Sequence, residues 1–303
     1  MIRYIFKEYI GNTLLSSRFI VFIIALYLAM FGLFQNMEAA MGRLGYTVGA
    51  FEMLPCFVHY DANVIIYFGL FVFLISIYPK WDGSLNQISR MGKRKWLFTQ
   101  YIYVFFTAII YYVVWSVGFI LVFLPRITWS NEWSSFMERA IDMTQIVTFP
   151  TDFQTNVMMR YSERLVSIGS PMKVYLLTFL LQMIAGTFIG ILAVTLNVCF
   201  RRGTGTVAAY FFVGAKGFFS VLPQFLNENM FSIELLKKIK NLLKRLEFYI
   251  SPLYQSDLFI MAVHDTRPIK ERVMIGVTYF LILMVLLMIF GMKMVKRMDL
   301  SQE

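Results

Sequence analysis

Charge is scarce in this sequence. Only 15% of its 303 residues are charged, while 58% are hydrophobic and 17% aromatic. A soluble domain carries about 25% charged residues, so a chain this poor in charge cannot cover a water-facing surface and is read as a membrane protein. Acidic residues are scarcer still, 18 against 28 basic ones, for a formal net charge of +10. On a soluble protein that balance would point to nucleic acid. In a membrane chain it reflects basic cytoplasmic edges, and no nucleic-acid partner is expected.

Cysteine and histidine are nearly missing. Cys56 and Cys199 form no CxxC pair and fall on opposite predicted faces of the membrane, so no disulfide is expected. His59 and His264 sit in different predicted outer loops with no HExxH and no nearby cysteine, and no metal site is expected. Asp61 beside His59 and Asp265 beside His264 read as solvated loop pairs rather than acid–base catalysts. No GxSxG occurs, and no GxxxxGK[ST] phosphate loop. The GTG at 203–205 runs into Thr206 and a hydrophobic helix with no lysine to reach phosphates. The chain is therefore not expected to bind ATP or to act as an enzyme. An intramembrane hydrolase or lipid transferase would need polar catalytic groups in the spans or at their ends, and no convincing set is present.

Long apolar runs are what the sequence has instead. Crossing about 30 Å of hydrocarbon takes roughly 17–25 helical residues. Six runs qualify, at 19–35, 62–78, 97–124, 174–200, 207–222 and 273–292, the fifth being short and interrupted by Lys216. The first has a patterned polar lead of 18 residues and no small-x-small site after it, so it is read as retained rather than cleaved. With the N-terminus inside, Arg3, Lys7, Arg18, Lys80, Arg90, Lys93, Arg94, Lys95, Arg201, Arg202, Lys293, Lys296 and Arg297 all face the cytoplasm, while the short outer loop 36–61 carries only Arg43. The expectation is an all-α, multi-pass protein of a bacterial plasma membrane, a single transmembrane domain over 1–303 with both termini cytoplasmic.

Between the spans lie amphipathic segments. In 1–18, Ile2, Ile5, Phe6, Tyr9, Ile10 and Leu14 recur at spacings of three and four, which describes a helix lying in the membrane interface. In the long outer loop 125–173, NEWSSFMERAIDMTQIV has helical spacing at Trp133, Phe136, Ala140 and Met143. In the outer loop 223–272, FSIELLKKIKNLLKRLEFYI separates a leucine stripe from a lysine face and reads as a basic helix on a membrane surface. Its place outside is the strongest sequence argument against this topology, because basic segments prefer the cytoplasm.

Residues 81–96, between spans two and three, combine an apolar ridge of Leu85, Ile88 and Met91 with Arg90, Lys93, Arg94 and Lys95, broken at Gly92 and followed by Trp96, an aromatic suited to the headgroup layer. A membrane anchor would need the cations but not the ridge. Lys216, in YFFVGAKGFFSVLP, is flanked by Gly214, Ala215 and Gly217, which would allow close helix packing or a bend. It reads either as part of a translocation path or as a residue snorkelling to the headgroups.

An N-terminal interfacial helix, six spans and LNQISRMGKRKWLFTQY between spans two and three resemble the type 2 permease family of ABC exporters. The likeness covers the whole chain in layout and about 81–101 in sequence flavour. It implies a transmembrane subunit that dimerises with itself or a related permease and rests on separate ATPase subunits, which hold the ATP and magnesium. It implies that 81–96 is the coupling helix in the ATPase groove, and that RRGTGT, with Arg201 and Arg202, is a second contact. The long outer loops and the short, charged fifth span depart from that pattern. Three functions compete: export of a peptide, antimicrobial or lipid-like amphiphile; immunity to or sensing of antimicrobial peptides; and a non-transporting membrane enzyme or scaffold.

Overall fold

The structure is a computed structural model that describes residues 16–58, 61–79, 84–138, 163–225, 252–258 and 268–297, with the single positions 235, 238, 242 and 261. Helix α1 spans Ser17–Leu44. It opens on Ser16, whose hydroxyl accepts from the Phe19 amide at 3.3 Å, and closes on Gly45 in the left-handed conformation (φ 72°) that glycine adopts without strain. The helix bends by 45° between 19–35 and 37–44. Strand β1 (Val48–Gly49) and the short helix α2 (Met53–Val58) precede α3 (Asp61–Ile75). The next elements are α4 (Ser84–Met91), α5 (Lys93–Phe123) and β2 (Ile127–Thr128), which pairs in parallel with β1. Then come α6 (Glu163–Ile168), α7 (Pro171–Cys199, with proline in its first turn), α8 (Thr204–Phe225), a 3-10 turn at Pro252–Ser256 and α9 (Ile269–Arg297).

The chain is an all-α membrane protein. Helices α5, α7 and α9 are long and apolar enough to cross a bilayer, and α1 makes a fourth if its bent halves form one crossing. Helix α3 and the apolar part of α8, Thr204–Ala215, are shorter. Length and apolarity alone thus single out three of the six expected spans, those at 97–124, 174–200 and 273–292.

Helix α7 is the centre of the bundle: it packs against α9, α8, α5 and α3. Of its most apolar stretch 72% is buried, against 22% for α9, which therefore lies at the edge. Ring and glycine contacts fix the directions. Phe22 stacks on Tyr111 at 5.8 Å and Phe34 meets Phe119 at 5.3 Å, so α1 runs parallel to α5. Tyr67 meets Trp115 while Tyr78 meets Tyr103, so α3 is antiparallel to α5. Tyr175 meets Tyr112 while Gly190 presses on Val104, so α7 is antiparallel to α5 as well. Helix α8 turns back against α7, with Phe212 on Phe188, and α9 runs parallel to α7, with Gly276 beside Leu181 and Gly291 beside Thr195. The six helices α1, α3, α5, α7, α8 and α9 alternate in direction.

Some expectations change and some fall outside the described residues. The loop 36–61 is not a plain connection: α1 continues to Leu44, and α2 lies fully buried across the ends of α3, α5 and α7, with Phe57 on Trp115 at 5.0 Å. Six residues are too few for a periodic signal, which is why the sequence hides α2. Cys56 sits in that helix and Cys199 at the far end of α7, both free. Trp96 is fully buried in the core rather than placed toward headgroups. The proposed helix in 131–147 is seen at 135–138, and the rest of it is not described. Most of the interfacial segment 1–18, His59, His264, and the basic segment 231–250 apart from helical positions 235, 238 and 242 also lie outside the described residues.

Candidate functional site

The alternation of helices gathers one set of termini at a single end of the bundle: the start of α1, the end of α3, all of α4, the start of α5, the α7–α8 connection and the end of α9. Among the described residues there, Arg18, Arg90, Lys93, Arg94, Lys95, Arg201, Arg202, Lys293, Lys296 and Arg297 are cationic and none is acidic. This basic end holds the residues that the family resemblance would place against a partner ATPase, Leu85, Ile88, Arg90, Met91, Lys93, Arg94, Arg201 and Arg202.

Helix α4 is held to the bundle by the ridge itself. Ile88 and Met91 are half-buried and pack against the main core, while Arg90 points to solvent; the Leu85 side chain lies outside the described residues. Gly92 makes the corner between α4 and α5 at φ 81° and ψ 151°, a conformation open to glycine. Its amide donates to the Ile88 carbonyl at 2.8 Å and its carbonyl accepts from the Trp96 amide at 3.0 Å, so Gly92 closes the ladder of α4 and opens that of α5. Lys93 is half-buried beside it, with Arg94 and Lys95 exposed. The ridge thus serves at least in part to seat α4, and the outward face is cationic.

The α7–α8 connection is built around Asn197, which sequence reasoning missed. This buried amide accepts from the Gly203 and Gly205 amides at 3.0 and 2.8 Å, and its Nδ2 donates to the Tyr78 carbonyl at 3.2 Å. One side chain therefore satisfies the first amides of α8 and ties the turn to the end of α3. Gly203 turns the chain at φ 93°, and at Gly205 the helices come so close that a Cβ would lie 1.9 Å from the Ala193 carbonyl oxygen. Arg201 and Arg202 are exposed on this rigid corner. The available signal was an asparagine inside an otherwise apolar helix, four residues before RRGTGT. Tyr101 and Thr195, hydrogen-bonded at 2.8 Å, lock α5 to α7 just above, and Gly291 leaves room for that hydroxyl against α9.

Lys216 is not brought into this site. It lies within α8, whose helix continues unbroken past it to Phe225; its side chain is outside the described residues. Gly214 faces open space, the surroundings of Gly217 lie outside the described residues, and a close approach of α8 to α7 falls at Gly205.

The opposite end is of mixed charge, with Glu38, Arg43, Glu52, Arg126, Glu132, Glu138, Lys173, Asp257, Lys270, Glu271 and Arg272 among its described residues. Its organiser is Glu52, 1% exposed. The Glu52 carboxylate accepts from the Gly49 amide at 3.1 Å and from the Ser134 amide and hydroxyl at 2.6 and 2.5 Å, joining the loop after α1 to the segment after β2. Burial raises its pKa above the ordinary carboxylate value, opposed by the hydrogen bonds from Ser134 and Gly49. Beside it the Cys56 thiol is pushed well above its usual range by burial and by the Glu52 charge, which makes it unreactive. Trp133 donates to the Gly169 carbonyl at 3.0 Å and Lys173 to the Ile168 carbonyl at 2.7 Å, closing this face. Among the described residues no group of three metal-ligating side chains converges.

Fold and site together define a class: a multi-helix membrane protein with one end whose described charges are all basic, cornered at Gly92 and Asn197, and one mixed, hydrogen-bonded end. No family model matches the chain, and no curated protein and no solved structure is significantly similar to it.

Proposed function

We propose that this chain is the transmembrane permease subunit of an ABC exporter, a six-span protein of a bacterial plasma membrane with both termini in the cytoplasm. It moves a peptide, antimicrobial or lipid-like amphiphile outward, using ATP and magnesium bound by a separate ATPase, and it works as a dimer with itself or a related permease. The six-span reading is supported by the alternating directions of α1, α3, α5, α7, α8 and α9. The cytoplasmic assignment of the basic end follows from the excess of lysine and arginine there.

The observation that carries the reading is the junction at Asn197. The two segments assigned to the ATPase, α4 and the corner at 201–206, sit at one end of the bundle. The Asn197 to Tyr78 hydrogen bond joins the second to the chain that leads into the first. A force applied to Arg90 and Arg94 would reach α5 through the Gly92 corner, and one applied to Arg201 and Arg202 would reach α7, α8 and, through the Asn197 to Tyr78 hydrogen bond, the end of α3. Residues Leu85, Ile88 and Met91 orient α4, and Arg90, Lys93, Arg94, Arg201 and Arg202 offer the electrostatic contact.

The test is purification of the tagged chain from its native membrane in mild detergent. A co-purifying subunit carrying a phosphate loop is expected, and the charge reversals Arg90→Glu, Arg94→Glu, Arg201→Glu and Arg202→Glu together should release it while membrane abundance stays unchanged. A chain that purifies alone, with normal abundance, contradicts the proposal.

A further inference from the structure

Helices α1 and α3 both rest on α5 but make little contact with each other, and a groove of about 670 Å³ opens between them, within the roughly 300–1,000 Å³ of small-molecule sites. It is graded along its length. Phe22 and Leu74 are buried in its floor and Val21 and Phe73 stand exposed as its walls, while Ser17 and Ser76 lie at the mouth. Because α1 begins and α3 ends there, the hydroxyl mouth opens at the basic end, and Arg18 follows Ser17 in the first turn of α1.

We propose that this groove holds one anionic phospholipid of the adjoining leaflet, with an acyl chain between α1 and α3 and its phosphate at the serine mouth. The apolar interior fits hydrocarbon. The exposed Ser17 hydroxyl can donate to a phosphate oxygen, while Ser76 donates to the Phe73 carbonyl at 2.7 Å, and the cationic end, without a described carboxylate, favours an anionic headgroup over a zwitterionic one. A peptide or a second copy would need polar groups or a matching ridge deep in the groove, and the interior offers neither donor nor acceptor beyond the serines at its mouth. This inference requires only that the chain is a membrane protein, and it stands whether or not an ATPase binds.

The test uses the full-length chain in phosphatidylcholine vesicles doped with a diazirine-bearing phosphatidylglycerol, with adducts mapped by peptide mass spectrometry after illumination. Adducts are expected to concentrate on 16–25 and 70–77 rather than on the exposed face of α9 around Ile282 and Leu286. Unlabelled phosphatidylglycerol should compete about fivefold better than phosphatidylcholine. Ala25→Trp, at an exposed lining position, should fill the groove and lower those adducts to the α9 background, and Leu286→Trp should leave them unchanged. Even labelling of all exposed helices, equal competition by phosphatidylcholine, or unaltered adducts in Ala25→Trp would overturn the proposal. So would efficient disulfide formation between Phe73→Cys copies in place of lipid adducts, which would give the groove to a second chain.

Discussion

The two ends of the bundle are built with the same tool but charged differently, one basic and one mixed. Each is organised by one buried polar side chain that gathers backbone groups from separate segments: Asn197 at the basic end, Glu52 at the mixed end. At the basic end the organiser is neutral, and the charged residues among those described are all cationic. At the mixed end the organiser is itself ionisable, and both signs surround it. The difference teaches where an interaction surface can lie. A neutral hub leaves the basic end without a buried ionisable organiser and sets Arg90, Arg94, Arg201 and Arg202 on its solvent-exposed face, whereas the mixed end is gathered by a buried carboxylate that holds backbone groups of two segments.

The largest effect expected from breaking this comparison is at the basic corner. Gly205→Ala would drive a methyl group into the Ala193 carbonyl, forcing α7 and α8 apart at a cost of about 3 kcal/mol. Asn197→Leu would strand the Gly203 and Gly205 amides and the Tyr78 carbonyl together, for a loss of similar size. Both should appear as a large fall in the thermal unfolding midpoint of the purified protein in detergent. Asn197→Asp, which keeps the two acceptor contacts and loses the donor to Tyr78, should fall in between.

Glu52→Ala at the other end should cost somewhat less, about 2 kcal/mol, because it leaves the Gly49 amide of β1 and the Ser134 amide without their acceptor but also removes a carboxylate whose charge burial disfavours. Hydrogen exchange should show lost protection at 47–52 and 134–137, with the basic end unchanged. Exchange that rises equally at both ends would mean that the ends are not independent.

A smaller effect comes from pH. The Glu52 pKa is raised in the folded protein, so the folded state binds the proton more tightly than the unfolded state does. The charged form therefore weighs against folding above the raised value, and the penalty disappears as the pH falls toward the ordinary value of 4.5. Wild-type stability, less that of Glu52→Gln, should increase on acidification through that window. A flat difference would show that the hydrogen bonds from Ser134 and Gly49 cancel the effect of burial, and a fall on acidification that they outweigh it.

How much of this was legible in the sequence follows from the range of each signal. Apolar runs and basic clusters are continuous in the chain, so the long helices and the cations of the basic end could be read directly. The break at Gly92 was legible as well, because glycine after a short amphipathic stretch marks a corner. Helix α2 was hidden by its shortness. Asn197 and Glu52 were hidden because their meaning lies in partners distant in sequence: Tyr78 is 119 residues from Asn197 and Ser134 is 82 from Glu52. Trp96 was misplaced because an aromatic beside cations reads as an interfacial anchor, while the fold buries it in the core behind the α4–α5 corner. Gly214 and Gly205 are alike in sequence, and only the path of α8 decides which of them meets a neighbouring helix.

The claim that the basic end is the cytoplasmic seat of an ATPase is tested most directly by photocrosslinking in intact cells from a benzoylphenylalanine placed at Arg90, compared with one at Ser130 on the mixed end. The account predicts an adduct from position 90 with a chain that carries a phosphate loop, lost when Arg201 and Arg202 are reversed to glutamate, and no such adduct from position 130. The absence of that adduct at 90, or its appearance at 130, would contradict it.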